Sequence, residues 1–249
     1  MLAILVLAAG FFLWGAPPAV AFTGCSVKDA PLINADFEAR VAELVNAERA
    51  SRGLPPLKLV ASLSAAARYH AADMGSDNYF EHDSYDRVGG SLKRVCGAFD
   101  RVSLWYDGWN ALAENIGGGY TSPEAVVAGW MDSAGHRSNI LSDKFQELGV
   151  GYFAGAGELD SYWVQDFGAR FDAAALVLAG EAITTTSRNL DVYIYGDWQE
   201  MRLRNDSGAW SSWRPFAHSF TWTIGDGAGR HVVAAELRDA GGATVSTCD

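Results

Sequence analysis

The first two-thirds of this chain is built around two short stretches, Ala113-Glu114-Asn115-Ile116 and Gly135-His136-Arg137-Ser138-Asn139-Ile140-Leu141. Each places a side chain that can transfer a proton or bind a metal ion beside a glycine-rich turn. A third such side chain, His82, lies upstream in a polar loop. Because the three groups come from separate segments, they can meet only in a folded cleft. The pattern predicts a site built from His82, Glu114 and His136.

The bulk composition is that of a globular protein with an acidic surface. The chain has 249 residues, of which 49% are hydrophobic and 20% are charged, and its net charge is −11. This length exceeds what one hydrophobic core usually occupies and predicts two domains. A phosphate backbone requires a basic surface, which this chain does not offer, so we expect no nucleic-acid partner.

The N-terminus predicts export. Residues 1–21 combine an apolar run with the sequence Ala19-Val20-Ala21, which fits the small-residue rule for signal-peptide cleavage. The run is too short to act as a transmembrane anchor. We therefore expect an extracellular protein with no such anchor after cleavage, whose residues 22–32 form an N-terminal arm. The alternative is a lipoprotein, in which Phe22-Thr23-Gly24-Cys25 is the processing box and Cys25 carries the lipid.

Export makes disulfide bonds feasible, and the chain has three cysteines. The preferred bridge joins Cys25 to Cys96, because both flank the first domain and would fix its N-terminal arm. Cys248 is then the unpaired thiol. The alternative, that no disulfide forms, stays open.

Apolar periodicity in the first two-thirds of the chain predicts both helices and strands. We predict helices at 34–52, 62–76, 91–96 and 123–133, followed by a hairpin of strands 144–153 and 162–167. His70 lies in the second helix among small apolar residues. We interpret it as a hydrogen-bonded core histidine and not as a ligand.

After Arg170 the helical periodicity ends and short alternating runs follow. The predicted strands are 190–195, 200–204, 216–224 and 231–237, separated by turn-forming clusters. Strands at this spacing predict a β-sandwich over residues 175–249. It contains four tryptophans, which we interpret as core anchors, the alternative being an exposed row that stacks on sugars: Trp198, Trp210, Trp213 and Trp222.

Six motifs in residues 33–171 carry a family resemblance. They are Val45-Asn46-Ala47-Glu48-Arg49, Phe80-Glu81-His82, Ala113-Glu114-Asn115-Ile116, Gly135-His136-Arg137-Ser138-Asn139-Ile140-Leu141, Gly149-Val150-Gly151-Tyr152 and Tyr162-Trp163-Val164-Gln165-Asp166-Phe167-Gly168. In this order they resemble the CAP superfamily of cysteine-rich secretory, antigen 5 and pathogenesis-related proteins, in its short bacterial form. The resemblance implies an α+β fold, a three-layer α-β-α sandwich with a central antiparallel sheet. Residues 175–249 are similar to bacterial Ig-like modules.

The resemblance also implies a ligand set. In the family, a cleft tetrad of two histidines and two glutamates can hold a divalent metal. His82, Glu114 and His136 match three of its members, but Ser133 stands where the second glutamate is expected, three residues after Trp130. Three ligands still suffice for an open zinc site. The carboxylates that could replace the missing one are Glu81, Asp83 and Glu147.

Three functions fit these residues. The favoured one is a secreted binding module, whose cleft holds a divalent cation such as zinc or a polar group beside an apolar ligand. That ligand would be a lipid, a sterol-like molecule or a cell-wall glycan. The second is a metal-dependent, peptidase-like hydrolase with Glu114 as catalytic base. The third is a structural hydrogen-bond network without a ligand. The sequence contains neither a Gly-x-Ser-x-Gly nor a His-Glu-x-x-His motif.

Overall fold

A computed structural model describes residues 22–26, 30–155, 157–171 and 173–249. The predicted signal peptide, residues 1–21, lies outside the described residues. Among the helices that the model describes, none is long and apolar enough to cross a membrane.

Over the residues that the structure describes, the first domain contains five helices and six strands. The helices are α1 Ala35–Ala50, α2 Ala61–Asp77, α3 Ala98–Val102, α4 Pro123–Asp132 and α5 Ala134–Ile140. The strands are β1 Lys58–Leu59, β2 Ser84–Val88, β3 Ser91–Cys96, β4 Trp109–Gly118, β5 Glu147–Ala154 and β6 Ser161–Arg170. The central sheet has the order β1-β5-β6-β4, in which β1 is parallel to β5 and the other pairs are antiparallel.

Helices cover both faces of this sheet and form the predicted three layers. On one face, α2 packs its alanines and Met74 against Ile116 and Val164. On the other face, α1 and α4 pack around Trp130 and Trp163 in the largest cluster of the domain. Because β6 lies between two neighbours and under both helical layers, all its residues from 161 to 169 are buried. The α+β class predicted from the sequence is confirmed.

The two long helices begin and end where local sequence predicts. Asn34 caps α1 by accepting a hydrogen bond from the Phe37 amide at 3.1 Å, and Gly53 follows the helix with a positive φ of 70°. The helix α2 ends at Asn78, whose φ of 52° is left-handed. The predicted hairpin of strands 144–153 and 162–167 is also confirmed, as β5 and β6.

The helix predicted for residues 91–96 is wrong. These residues form β3, which pairs with β2 through the turn at Gly89 and Gly90. Leu92 and Val95 are three residues apart, as on one face of a helix, but both are largely exposed. Cross-strand pairing and the glycine turn override this weak periodicity. The hairpin ends at Cys96, which forms the predicted disulfide with Cys25 at a Cα–Cα distance of 6.1 Å, while Cys248 is free and exposed.

The second domain consists of two antiparallel sheets around one core. Its strands are β7 Leu176–Leu178, β8 Asn189–Ile194, β9 Glu200–Asn205, β10 Arg214–Pro215, β11 Ser219–Thr223, β12 Val233–Arg238 and β13 Thr244–Cys248. The sheet orders are β10-β9-β12-β13 and β11-β8-β7. This architecture is compatible with the predicted sandwich, and the boundaries at 171 and 175 stay predictions.

The four tryptophans of the second domain divide into two pairs. Trp198 and Trp222 pack against the core, as predicted. Trp210 and Trp213 instead stack with arginines, and the guanidinium of Arg238 lies 4.1 Å from the Trp213 ring centre. The interpretation of these two as core anchors is wrong. Because side chains alternate along β9, its arginines lie on the face of the strand that points away from the core. On that face the guanidinium groups attract the faces of the indole rings.

Candidate functional site

The candidate site is built around Glu114, a carboxylate on β4. Its side chain is only 2% exposed. Glu114 lies directly opposite Asp166 of β6, so both side chains project from the α2 face of the sheet, and Asn115 projects from the other. The sequence predicted a glycine-rich turn here. The structure shows that Glu114 belongs to a paired strand, and the glycines occupy the end of that strand.

The Glu114 carboxylate contacts His82 and Arg101. Its Oε1 lies 2.8 Å from Nδ1 of His82, and its Oε2 accepts a hydrogen bond from Nη2 of Arg101. Burial raises the pKa of Glu114, but the guanidinium and the neighbouring imidazoles outweigh that effect and bring it to about 2. Glu114 is therefore ionised at neutral pH. Because an ionised carboxylate only accepts hydrogen bonds, Nδ1 of His82 must donate.

Arg101 is fully buried and connects three segments of the site. Besides Glu114, its Nη1 donates to the carbonyl oxygen of His82 and to Oγ of Ser84, each at 3.0 Å. A buried guanidinium is stable only when it is paired and hydrogen-bonded in this way. Arg101 therefore fixes the loop that carries His82 against the strand that carries Glu114. No local sequence pattern marks Arg101 as part of the site.

His82 lies at the surface end of this network. Its side chain is 53% exposed, and its Nε2 makes no hydrogen bond to the described residues. The hydrogen bond to Glu114 raises the pKa of His82, against a smaller lowering from burial. The hydrogen bond to Glu114 thus holds the imidazole in one orientation, with its second nitrogen directed away from the carboxylate.

Two buried titratable groups, Asp166 and His70, lie behind Glu114. Burial and the Glu114 charge raise the pKa of Asp166 well above its usual range. Burial, reinforced by Arg101, lowers the pKa of His70 to about 3. The His70 ring hydrogen-bonds the Glu81 carbonyl at 3.0 Å through Nε2, which lies 3.9 Å from Oε1 of Glu114. His70 is thus a buried, hydrogen-bonded histidine, as interpreted from the sequence, but it also borders the site.

His136 approaches from the opposite layer. It lies in the first turn of α5 and is half-buried, and its carbonyl oxygen accepts a hydrogen bond from Asn115 at 3.2 Å. Burial lowers the pKa of His136, and the positive charge of His82 lowers it further. The two imidazoles therefore lie within electrostatic range of each other. In the described part of the chain no hydrogen bond joins the His136 side chain to Glu114.

A chain of amides fastens α5 to the sheet. Asn115 donates to Gln165 at 3.0 Å and accepts from Asn139 at 2.9 Å. The first two amides come from paired strands and the third from α5, so the chain fixes the helix that carries His136. The motifs contain all three residues, but only strand register reveals that they meet.

The donors do not fit a divalent metal ion. Both oxygens of Glu114 are already engaged, and Ser133 is a neutral residue at the junction of α4 and α5. Two of the alternative carboxylates have other partners, since Asp83 pairs with Arg94 at 2.5 Å and Glu147 with Arg170 at 2.6 Å. Among the residues that the structure describes, no three His, Cys, Asp or Glu side chains are placed to hold a metal ion together.

Comparison with known proteins identifies the first domain. The model of the cysteine-rich secretory protein family, CAP, matches residues 42–167. The chain belongs to the CAP family. This match confirms the resemblance found in the motifs, and it ends before the second domain, whose Ig-like character stays a prediction.

Two curated relatives share this CAP region. The chain is 39% identical over 150 residues to the Bacillus subtilis protein YkwD, covering 60% of this chain and 54% of YkwD. It is 34% identical over 119 residues to the B. subtilis membrane protein YlbC, covering 48% of this chain and 32% of YlbC. The chain thus spans about half the length of YkwD and a third of that of YlbC.

Solved structures give weaker similarities. An extracellular protein containing an SCP domain from Bacillus anthracis is 28% identical with a TM-score of 0.48, covering 58% of this chain and 45% of that one. An outer surface protein from Borrelia burgdorferi is 18% identical with a TM-score of 0.44, covering 52% of this chain and 90% of that one.

Proposed function

We propose that this CAP-domain protein is an extracellular binding module. In this proposal His82 and His136 contact a polar group of the ligand, and neighbouring apolar surface contacts a lipid or wall-derived portion. The observation that carries the proposal is the pairing of His82 with buried Glu114. A carboxylate that fixes one nitrogen of an imidazole leaves the other oriented for a hydrogen bond to a ligand.

An oriented imidazole could also act as a general base, but the surroundings favour binding. Acyl transfer would require a nucleophile within hydrogen-bond reach of that imidazole. Ser84, the serine of this network, is buried, and its Oγ accepts a hydrogen bond from Arg101. The pair of His82 and Glu114 thus presents a hydrogen-bonding group without a serine nucleophile. A metal-dependent hydrolase would need at least three side chains placed to hold the metal ion, and the described residues do not offer them.

An apolar surface adjoins His82. Phe80, two residues earlier, is 41% exposed. Phe80 and Leu159 both pack over the end of β4. A Cβ atom added at Gly118 would lie 2.5 Å from Leu159 and 3.2 Å from Phe80. The glycine therefore allows both side chains to cover the strand next to the site. Polar groups beside exposed apolar side chains are typical of ligand sites.

The proposed location outside the cell has two supports. The first is the signal-like sequence of residues 1–21. The second is the disulfide between Cys25 and Cys96, a bond that persists in oxidising compartments.

Co-sedimentation with two probes tests the proposal: purified peptidoglycan and phosphatidylglycerol vesicles. We expect the protein to bind one of them, and His82→Ala to weaken that binding about tenfold, because a hydrogen bond to a charged group contributes about 1.5–3 kcal/mol. His218→Ala, at an exposed histidine of the second domain, is the matched control and should bind like the unmodified protein. Absence of binding to both probes, or equal binding by the two variants, would contradict the proposal.

A further inference from the structure

We infer that the guanidinium of Arg101 takes the role of the metal ion in this CAP cleft, so that the cleft is organised without a bound divalent cation. The inference deepens the proposed function and rests on it for the use of the cleft. A ligand would then contact the two imidazoles through direct hydrogen bonds and not through a bridging metal ion.

The charges of the buried groups balance without a metal ion. Two carboxylates and one divalent cation sum to zero, which is the balance implied by the family's tetrad. In this chain Ser133 removes one carboxylate, and Arg101 and Glu114 again sum to zero. This buried ion pair is therefore already neutral, and a divalent ion added to it would leave uncompensated positive charge.

The hydrogen bonds of Arg101 also oppose a cation at Glu114. The guanidinium of Arg101 donates to Glu114, to the His82 carbonyl and to Ser84 Oγ, and the side chain is fully buried. Freeing Oε2 of Glu114 for a cation would break the first of these bonds and leave a buried guanidinium next to a metal. Both like-charge repulsion and the lost hydrogen bond oppose that arrangement. Arg101 is thus a fixed part of the site.

Few metal-binding donors remain in the cleft once Arg101 holds Glu114. His82 uses Nδ1 for Glu114, which leaves Nε2, and His136 offers its imidazole. Ser133 offers at most a neutral hydroxyl, which is a poor substitute for a carboxylate. Protein zinc sites that are open to water generally use three protein ligands. The two imidazoles fall short of that number while Arg101 holds the carboxylate.

Zinc titration by calorimetry at neutral pH tests the inference. The unmodified protein should bind zinc no more tightly than the double variant that combines His82→Ala with His136→Ala. Any zinc that both proteins bind must then lie outside the cleft. Arg101→Met keeps the apolar stem and removes the charge. This variant should bind zinc at least tenfold more tightly than the unmodified protein does. Adding His82→Ala should abolish that gain. Arg94→Met is the matched control, since it removes an exposed arginine from the neighbouring hairpin, and it should gain no site.

Two results would overturn the inference: zinc binding by the unmodified protein that the double variant loses, or no gain by folded Arg101→Met. Circular dichroism establishes whether Arg101→Met folds. If it does not, the comparison of the unmodified protein with the double variant still decides the question. Because the readout is zinc and not peptidoglycan or lipid, this inference and the proposed function can fail separately.

Discussion

A single buried carboxylate determines the electrostatics of the candidate site. The pKa of Glu114 lies below its usual 4.5, so its ion pairs contribute stability above that pH and lose it as the pH falls towards 2. The pKa of His82 lies above its usual 6.5, so its contribution is complete below that value and is lost as the pH rises through the folded pKa. Both contributions are complete only between pH 4.5 and 6.5.

For single residues, the sequence identified His82 and Glu114 but not the buried groups that surround Glu114. His82 stands in a polar loop, and Glu114 has apolar neighbours, so each has a local signature. Arg101 has none, because an arginine in a short helix normally faces water. Its burial follows from where α3 packs in the folded domain. Asp166 is similar, since only the register of β4 against β6 places it beside Glu114.

Among the elements, the packing of α2 directly onto β5 sets the thickness of the sandwich. Gly149 and Gly151 make that contact possible. A Cβ at Gly149 would lie 2.1 Å from the Leu63 carbonyl carbon, and one at Gly151 would lie 2.2 Å from that of Ala67. These neighbours are helix backbone, which cannot rotate away as a side chain can. The glycines are needed because two backbones meet here.

We predict that Gly151→Ala lowers the free energy of unfolding by about 3 kcal/mol, the upper range for overpacking a core. The control is Gly135→Ala in α5, where an added Cβ meets nothing within 4 Å. That change should leave stability equal or raise it by up to about 1 kcal/mol, since alanine favours helix. Urea denaturation measures both. Similar stabilities for the two variants would show that the packing of α2 onto β5 does not require glycine at position 151.

The elements differ in how well the sequence predicted them. The helices α1, α2 and α4 have long apolar stripes and capping residues, and their predicted positions are correct to within two residues at each end. The hairpin of β2 and β3 was missed because its residues face solvent and carry little periodicity. The strand β4 was also missed, since its apolar and polar residues do not alternate over residues 111–118.

At the scale of the whole molecule, the two domains are docked through partly buried polar contacts. Lys58 of β1 contacts Glu181 at 3.0 Å and also pairs with Asp249. Asn46 donates to the Gly180 carbonyl at 3.1 Å. Lys58 and Asp249 are 191 residues apart, so no local pattern in the sequence could have predicted their pairing. The sequence predicted two domains but not that they bind each other.

We predict that Lys58→Met weakens this docking, because it leaves two partly buried carboxylates without their counter-charge. Differential scanning calorimetry should show the single transition of the unmodified protein separating into two, or shifting down by several degrees. Lys144→Met, which removes an exposed lysine, is the control and should change neither. An unchanged transition in Lys58→Met would indicate that the ion pairs do not hold the domains together.

Glu114 orients His82 and favours its protonated form, so the pKa of that imidazole should depend on the Glu114 charge. Proton–carbon NMR of the histidine Cε1 positions should give a His82 pKa above 6.5 in the unmodified protein and a lower value in Glu114→Gln. His231 is an internal control, because its pKa is raised mainly by Asp206 and should be equal in both proteins. An identical His82 pKa in the two proteins would contradict the account.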